Sequence, residues 1–431
     1  MKKLILAAVA LLGILPCASA QTGTWSGDLE IQGMTFSIVF HFEAENPTLD
    51  IPDQGALGLP MNFKTDDAGE LTVNAPALNA TFKGQLQDGK IPGTFSQMGA
   101  SLPFTLTPGV KKLNRPQTPQ GPFPYAQEEV TFRNGDVVLS GTLTLPEGVS
   151  RETPAFVTVT GSGLQNRDEE IFEHRPFAVI ADALARAGVA TLRFDDRGFG
   201  ASTGDGSLAD TDDFKEDALA GIKFLRERFD KVGVIGHSEG GTIALMLAAE
   251  KQADFIVSLA GMVISGEETL IWQTNQALAA SGVAQEDIEK YDTLLRESYD
   301  ALRAGQELPS PQGRDLPELL VQSYYGVVDQ LNTPYLKRFI SVDVRPQLAD
   351  ITCPVLALNG TKDQQVEPES NLGALREGLK GNPAATIEAV PDANHLFQHC
   401  ATGQLNEYRE IEETIAPETL QRIVAWTGSL K

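Results

Sequence analysis

Short apolar runs alternate with amphipathic helical patterns between residues 155 and 259, and this alternation limits the fold more than any other feature. The helical patterns cover 176–187 and 211–229. Apolar strands without polar alternation, each followed by a helix, form a parallel sheet that helices cover on both faces. We therefore predict an α/β fold for this part of the chain. The four strand-like runs are 155–160, 189–194, 232–235 and 255–259.

Residues 21–110 have a different pattern. Alternating apolar and polar stretches such as 35–42 and 80–84 are separated by turn signals, and no long helical period appears. We expect a small all-β domain here, either a sandwich or a partly open barrel. Residues 111–124 contain four prolines and no apolar period, which predicts a semi-rigid, extended linker.

The predicted catalytic domain spans 125–431 and is interrupted by a helical insertion. A hairpin leads into the sheet, and two further strands and a final helix follow the insertion at about 262–348. Such an insertion between sheet strands is expected to form a helical cap over the carboxyl edge of the sheet, where open α/β sheets bind ligands.

The N-terminus has the pattern of a secretory signal peptide. A basic start, an apolar run over 4–14 and small residues at 18–20 predict cleavage after residues 1–20, and therefore a secreted or periplasmic protein. Lipidation at Cys17 is the alternative, which Pro16 disfavours because a small residue is expected there. No later apolar run is long enough to span a membrane.

The acidic composition bears on the partners. Without Lys2 and Lys3, 32 Lys and Arg face 58 Asp and Glu, a formal charge of −26. Such a surface repels nucleic acid and anionic membranes, although solubility alone explains it. The remaining cysteines, Cys353 and Cys400, are expected at opposite edges of the sheet as buried free thiols, because a disulfide needs a Cα separation of about 5.5 Å.

The strongest chemical signal is the sequence Gly236-His237-Ser238-Glu239-Gly240-Gly241. It follows a buried strand and opens a helix, which is the context in which G-x-S-x-G exposes a nucleophilic serine on a strained turn. The flanking glycines are needed where backbones approach too closely for a Cβ. An ordinary glycine-rich turn is the alternative. We predict that Ser238 is the nucleophile.

A serine hydroxyl needs a neighbouring base, and the chain offers five histidines. His395, just after the last predicted strand, lies where a base at the sheet edge is expected. His399 is predicted one turn into a helix, and the pair His395–His399 lacks a third metal ligand. The other histidines are His41, His174 and His237, whose positions fit the role less well.

The acid that orients the base should follow the preceding strand. Asp363 lies there, after the run 355–358. Asp392 is the rival, but it is three residues from His395 and is more suited to holding that loop. The order Ser238, Asp363, His395 is that of serine hydrolases built on a parallel α/β sheet.

An oxyanion hole needs two backbone donors. The N–H of Glu239 directly follows the nucleophile, and the loop after the first sheet strand offers the N–H of Ser162, with Gly163 as the alternate. This loop could instead be glycine-rich only because it turns. Residues 167–170 could line the mouth of the pocket, but a solvated turn is the favoured interpretation. Arg197, beside Asp195 and Asp196, could bind substrate, but a buried ion pair that holds its loop is favoured.

From about residue 126 onward the chain resembles α/β-hydrolase esterases of the kind that includes the EstD-like carboxylesterases and, more distantly, cinnamoyl esterases. The resemblance implies an α/β-hydrolase sheet, hydrolysis of short-chain acyl esters, a small-molecule ester as substrate, no cofactor and the triad given above. A β-rich N-terminal domain occurs in secreted bacterial relatives. The motifs that carry the resemblance are 160–163, 195–200, 236–241, 362–363 and 394–395.

A serine carboxylesterase is therefore the predicted function. The alternatives are a serine peptidase of the same fold and a non-catalytic glycan-binding protein with a vestigial triad. A carbohydrate ester is a further substrate class, for which Trp25 could stack on a sugar, although a core position suits it equally.

Overall fold

The computed structural model describes residues 22–31, 34–43, 45–52, 56–97 and 99–430. The chain forms two compact units, Met1–Leu113 and Asn114–Lys431. The predicted signal peptide, including Cys17, lies outside the described residues and stays a prediction.

The N-terminal unit is a nine-stranded antiparallel sheet in the order β4-β3-β2-β1-β9-β8-β7-β6-β5. Its edge strands β4 and β5 are joined by Met61 alone, so the sheet must curl back on itself. The phenylalanine rings of its core, Phe40, Phe82 and Phe104, have centroids 5.6–6.1 Å apart. The strands are β1 (Gly23–Ile31), β2 (Met34–Phe42), β3 (Thr48–Ile51), β4 (Ala56–Pro60), β5 (Asn62–Thr65), β6 (Glu70–Ala75), β7 (Ala80–Gln85), β8 (Ile91–Gln97) and β9 (Ala100–Pro108).

Two residues of this unit bear on the sequence analysis. Trp25 is half-buried against the core, and its Nε1 donates to the Thr22 carbonyl at 3.2 Å. His41 hydrogen-bonds the carboxylate of Asp50, a residue of the same sheet, at 2.8 Å.

The C-terminal unit contains an eight-stranded sheet in the order β10-β11-β13-β12-β14-β15-β16-β17. The hairpin β10–β11 joins the sheet antiparallel to β13. The other six strands, β12 to β17, are all parallel to one another. This is the sheet of an α/β hydrolase, as predicted. The strands are β10 (Ala126–Asn134), β11 (Val137–Leu145), β12 (Ala155–Val159), β13 (Ala190–Phe194), β14 (Val232–His237), β15 (Ile256–Leu259), β16 (Val355–Gly360) and β17 (Ala385–Val390).

Ten α-helices lie among the described residues of this unit. Helix α2 begins at a capping box, in which Asp210 and Asp213 satisfy each other's backbone N–H groups. Helix α3 is buried on almost every side, which its Ala- and Leu-rich sequence permits. The helices are α1 (Pro176–Arg186), α2 (Thr211–Arg226), α3 (Glu239–Ala249), α4 (Gly266–Ala280), α5 (Gln285–Arg303), α6 (Glu318–Leu331), α7 (Pro334–Phe339), α8 (Pro368–Gly378), α9 (Leu405–Tyr408) and α10 (Pro417–Gly428).

Helices α4 to α7 form the insertion between β15 and β16. The insertion has a core of its own, in which Tyr291, Leu294 and Tyr324 are buried. The Tyr324 hydroxyl hydrogen-bonds Ser298 at 2.7 Å, so a buried polar group is satisfied within the insertion.

The proline-rich segment 111–124, predicted to be a semi-rigid linker, belongs to the C-terminal unit from Asn114 onward. Arg115 is buried and donates to the carbonyls of Phe172, Arg409 and Ile411 at 2.8–2.9 Å. Gln117 binds the backbone of Ile415. The segment from Asn114 onward is therefore fastened to the C-terminal unit, because a guanidinium satisfies carbonyls that would otherwise lack donors.

Cys353 and Cys400 are free thiols, as expected, but both are only half-buried. Burial raises the pKa of each thiol, which disfavours the reactive thiolate. Among the described residues, no helix combines the length and the apolar character needed to cross a membrane.

Candidate active site

Ser238 lies on a strained turn between β14 and α3. Its φ of 53° and ψ of −120° are unfavourable for a residue with a side chain. A Cβ on Gly236 would lie 1.9 Å from the Gly240 carbonyl oxygen, and one on Gly240 would lie 2.0 Å from that of Val159. Only glycine fits these two positions, and the turn therefore presents the serine above the sheet edge.

The sheet topology gathers the other predicted residues at the same edge. Asp363 follows β16 and His395 follows β17, and these two strands are neighbours. The loop with Ser162 follows β12, which pairs with β14. Carboxyl ends of parallel strands meet at one edge, so all four loops converge there.

His395 and Asp363 form a buried hydrogen-bonded pair. The Nδ1 of His395 lies 2.7 Å from Oδ2 of Asp363, and the aspartate side chain is fully buried. The other oxygen, Oδ1, accepts from the N–H groups of Gln365 at 2.7 Å and Val366 at 2.9 Å. A carboxylate partner holds the proton on Nδ1, which leaves Nε2 free to act as a base.

Asp392 has another partner. Its carboxylate forms an ion pair of 2.8 Å with Lys362 and is 69% exposed. Lys362 holds the pKa of Asp392 below its usual range. His395 is hydrogen-bonded to Asp363, whereas Asp392 is paired with Lys362.

Ser162 and Glu239, whose N–H groups are the two predicted oxyanion donors, line the same cavity as Ser238. Glu239 is the first residue of α3, and the N–H groups of a helix's first turn have no intrahelical partner. The N–H of Ser162 has no protein acceptor in the part of the chain that the structure describes. The N–H of Gly161, next to it, is engaged by Glu169 at 2.7 Å.

The side chain of Glu239 links this region to the cap. It is buried, and it accepts from Thr211 at 2.6 Å and from the hydroxyl of Tyr335 in α7 at 2.5 Å. Burial raises the pKa of Glu239, and burial together with the glutamate raises that of Tyr335. The sequence analysis missed Thr211 and Tyr335, because their distance along the chain leaves no local pattern.

Besides His395, the C-terminal unit contains three histidines, His174, His237 and His399. His237 is buried between Glu169 and the backbone of His395. It lies next to the loop 160–163, which carries the proposed donor Ser162 and is called the oxyanion loop below. His399 was predicted to lie in a helix, but it lies in a loop that a bridge to Ala393 closes. Its ring is hydrogen-bonded to Glu413 and Glu418. The helix prediction was wrong because the Ala393–His399 segment turns back on itself through that bridge.

Residues 167–170 are not the solvated turn that was expected. Glu169 is 3% exposed, and Arg167 hydrogen-bonds Asp195 at 2.9 Å. Arg197 does form a buried ion pair, but its partners are Asp217 and Asp213, each at 2.7 Å, rather than its neighbours in sequence. Arg167 and Arg197 can be buried because carboxylates from other parts of the chain compensate their charges.

Ser238 and His395 line one cavity of about 280 Å³, and α4 and α7 of the insertion cover it. Its wall combines apolar side chains with a few polar groups, as is usual in small-molecule sites. Residues of the insertion that line it are Thr269, Leu270, Gln273, Tyr335, Leu336 and Phe339. Among the described residues, no group of three or more His, Cys, Asp or Glu could hold a metal ion.

His174 gives a prediction about stability. Burial, with the nearby charge of Arg115, lowers the pKa of His174 to about 4, so the folded protein keeps it neutral. The unfolded chain binds the proton below about pH 6.5, and stability is therefore lost as the pH falls from 6.5 towards 4. Replacing this histidine should remove on the order of 3 kcal/mol of that loss.

The measurement is the free energy of unfolding in urea, for the unmodified protein and for His174→Gln, between pH 7 and pH 4. The stability advantage of the unmodified protein should shrink as the pH falls. His399→Gln is the control, because nearby glutamates outweigh burial and raise the pKa of His399. Its effect should have the opposite sign. An advantage for His174 that is constant over this range would contradict the prediction.

Comparison with known proteins identifies the family. The chain is 27% identical to the esterase EstD of Thermotoga maritima over 315 residues, which are 72% of this chain and 67% of that protein. A solved esterase of Pyrococcus furiosus is 19% identical, covering 74% of this chain and 97% of its own, with a TM-score of 0.43. The esterase Est1E of Butyrivibrio proteoclasticus, solved with ferulic acid, is 16% identical over 70% and 97%, with a TM-score of 0.42. A profile described as the alpha/beta hydrolase family matches residues 156–407, more than half of the sequence, and the chain therefore belongs to that family.

Proposed function

We propose that this protein is a serine carboxylesterase that hydrolyses short-chain acyl, small aryl or carbohydrate esters, with Ser238, His395 and Asp363 as its triad. The observation that carries the proposal is the 2.7 Å hydrogen bond between His395 and the buried Asp363, in a cavity that Ser238 also lines. The esterase EstD, to which the chain is similar, supports an ester as the substrate.

Acylation begins with a proton transfer. The Nε2 of His395 takes the proton of the Ser238 hydroxyl, and the serine oxygen attacks the ester carbonyl carbon. The negative charge that develops on the carbonyl oxygen is stabilised by the N–H groups of Glu239 and Ser162, and α3 adds the favourable end of its dipole. The protonated His395 then gives its proton to the leaving alcohol.

Deacylation repeats the sequence with water as the nucleophile. His395 takes a proton from water, the hydroxide attacks the acyl–serine ester, and the proton returns to Ser238 as the acid departs. Asp363 stabilises the imidazolium in both halves.

The cavity favours small substrates. About 280 Å³ is at the lower end of the volumes that hold drug-sized ligands. Phe339 and Leu336 from α7 and Met262 offer apolar contacts for a short acyl or aryl group.

The proposal is tested by comparing purified protein on p-nitrophenyl acetate, butyrate and decanoate, on acetylated xylan and on an aminoacyl p-nitroanilide. We expect the highest kcat/KM on acetate or butyrate, and a kcat/KM on the anilide that is lower by at least about 100-fold. Preference for the anilide would establish a peptidase instead. Failure to hydrolyse any ester or to react with a fluorophosphonate would indicate a vestigial triad.

A further inference from the structure

A second histidine lies against the proposed base. The ring of His237 is buried, and its centroid is 4.6 Å from that of His395. The proposed mechanism gives this ring no role, although it directly precedes the nucleophile. Its two nitrogens have different partners, and these partners determine its protonation.

Both partners of His237 are acceptors. Nε2 lies 2.9 Å from the carbonyl oxygen of His395, which can only accept, so Nε2 carries a hydrogen. Nδ1 lies 2.9 Å from Oε1 of Glu169. The same Oε1 also accepts from the N–H of Gly161 at 2.7 Å. An oxygen that receives two donors is best supplied by an ionised carboxylate, and the ring then carries hydrogens on both nitrogens.

The electrostatic surroundings agree with a charged ring. Burial alone would lower the pKa of His237, but the charge and hydrogen bond of Glu169, with the carbonyl of His395, outweigh it and raise the pKa. Asp363 and the ring of His395 also lie near His237, and Asp196 lies near Glu169. Asp196 is held largely neutral, since burial raises its pKa to about 8. Glu169 is thus the charge nearest to His237.

We propose that Glu169 and His237 form a buried carboxylate–imidazolium pair that positions the oxyanion loop against the loop of the catalytic base. One end of the pair holds Gly161, directly before the donor Ser162, and the other end holds the backbone of His395 itself. The pair therefore sets the distance between the oxyanion donor and the base. Oε2 of Glu169 is buried without a hydrogen-bond partner among the described residues, so both side-chain hydrogen bonds of Glu169 end on Oε1.

This inference rests on the proposed esterase function, but its first test does not. The ¹⁵N spectrum of the unmodified protein, labelled at histidine and assigned with His237→Gln, reports the protons on the ring directly. We expect both nitrogens of His237 to remain protonated at pH 8. A ring that loses one proton near its ordinary pKa of about 6.5 overturns the proposal.

The second test uses Glu169→Gln, which keeps the size and an acceptor oxygen but removes the charge. We expect His237 to become neutral and kcat on p-nitrophenyl acetate to fall by roughly 10- to 100-fold, because small displacements of reacting groups are costly, while KM changes less than about threefold. Glu170→Gln is the matched control, since Glu170 pairs with the half-exposed Arg175. A kcat within about twofold of the unmodified protein for Glu169→Gln overturns the positioning role. If the unmodified protein hydrolyses no ester, the proposed function fails, and the ¹⁵N spectrum still decides the pair.

Discussion

Ser238→Ala should lower the kcat for p-nitrophenyl acetate by roughly 10⁴- to 10⁶-fold and leave the fold unchanged. Removing the hydroxyl removes the only atom that can form the acyl-enzyme, whereas the remaining oxyanion donors still give some rate above that in water. Alanine has the same backbone requirements as serine at φ 53°, so the turn should persist.

The measurement combines single-turnover kinetics with the melting temperature of the variant. Labelling with a fluorophosphonate should disappear in parallel with activity. Ser258→Ala is a suitable control, because Ser258 is a buried serine that donates to the Gly241 carbonyl at 3.2 Å and is one strand away. Full activity or full labelling in the Ser238 variant would refute the assignment of the nucleophile.

Asp363→Asn should have the second largest effect, a loss of roughly 10⁴-fold in kcat. The reason is that the substitution would change the tautomer of His395. Oδ1 of Asp363 accepts from two backbone N–H groups, so the oxygen of an asparagine must occupy that position. The amide NH₂ then faces Nδ1 of His395 and donates to it, which moves the ring proton to Nε2. A ring protonated there cannot accept the serine proton.

Asp392→Asn is the matched control for this prediction. The two aspartates were the rivals for the acid, but Asp392 is exposed and paired with Lys362. Exposed ion pairs contribute little, so we expect activity within about twofold of the unmodified protein. The two variants are compared by kcat and KM on the same ester at pH 8. If Asp392→Asn were the inactive one, the acid would be wrongly assigned.

One cap side chain that the sequence analysis did not identify reaches the residue next to the nucleophile. Tyr335 donates from α7 to the buried Glu239, whose own N–H is a proposed oxyanion donor. Arg338, one turn later, hydrogen-bonds Asp212 at 2.7 Å in α2. The insertion is thus tied to the sheet domain beside the nucleophile, which explains how helices without chemistry of their own can shape the cavity.

The order of the elements could be predicted, because each signal for it is local. Burial on both faces gives an apolar strand, and a helical period gives the helix that follows. For this reason the predicted run 155–160 matches β12 (Ala155–Val159), in which all five residues are buried. Helix α8 (Pro368–Gly378) was not predicted, since its few apolar residues form no clear stripe. The hydrogen bonds of Arg115 could not be predicted either, because its partners lie 57 to 296 positions away.

The sequence alone determined the strained turn at Ser238 and the chain order of serine, acid and histidine. These follow from the close approach of backbones at Gly236 and Gly240 and from which residues end the parallel strands. Only the tertiary structure decided how the charges are paired. His237 meets Glu169 from 68 positions away and the carbonyl of His395 from 158. Pairing depends on which elements pack together and on how far they exclude water, and neither is contained in a local pattern.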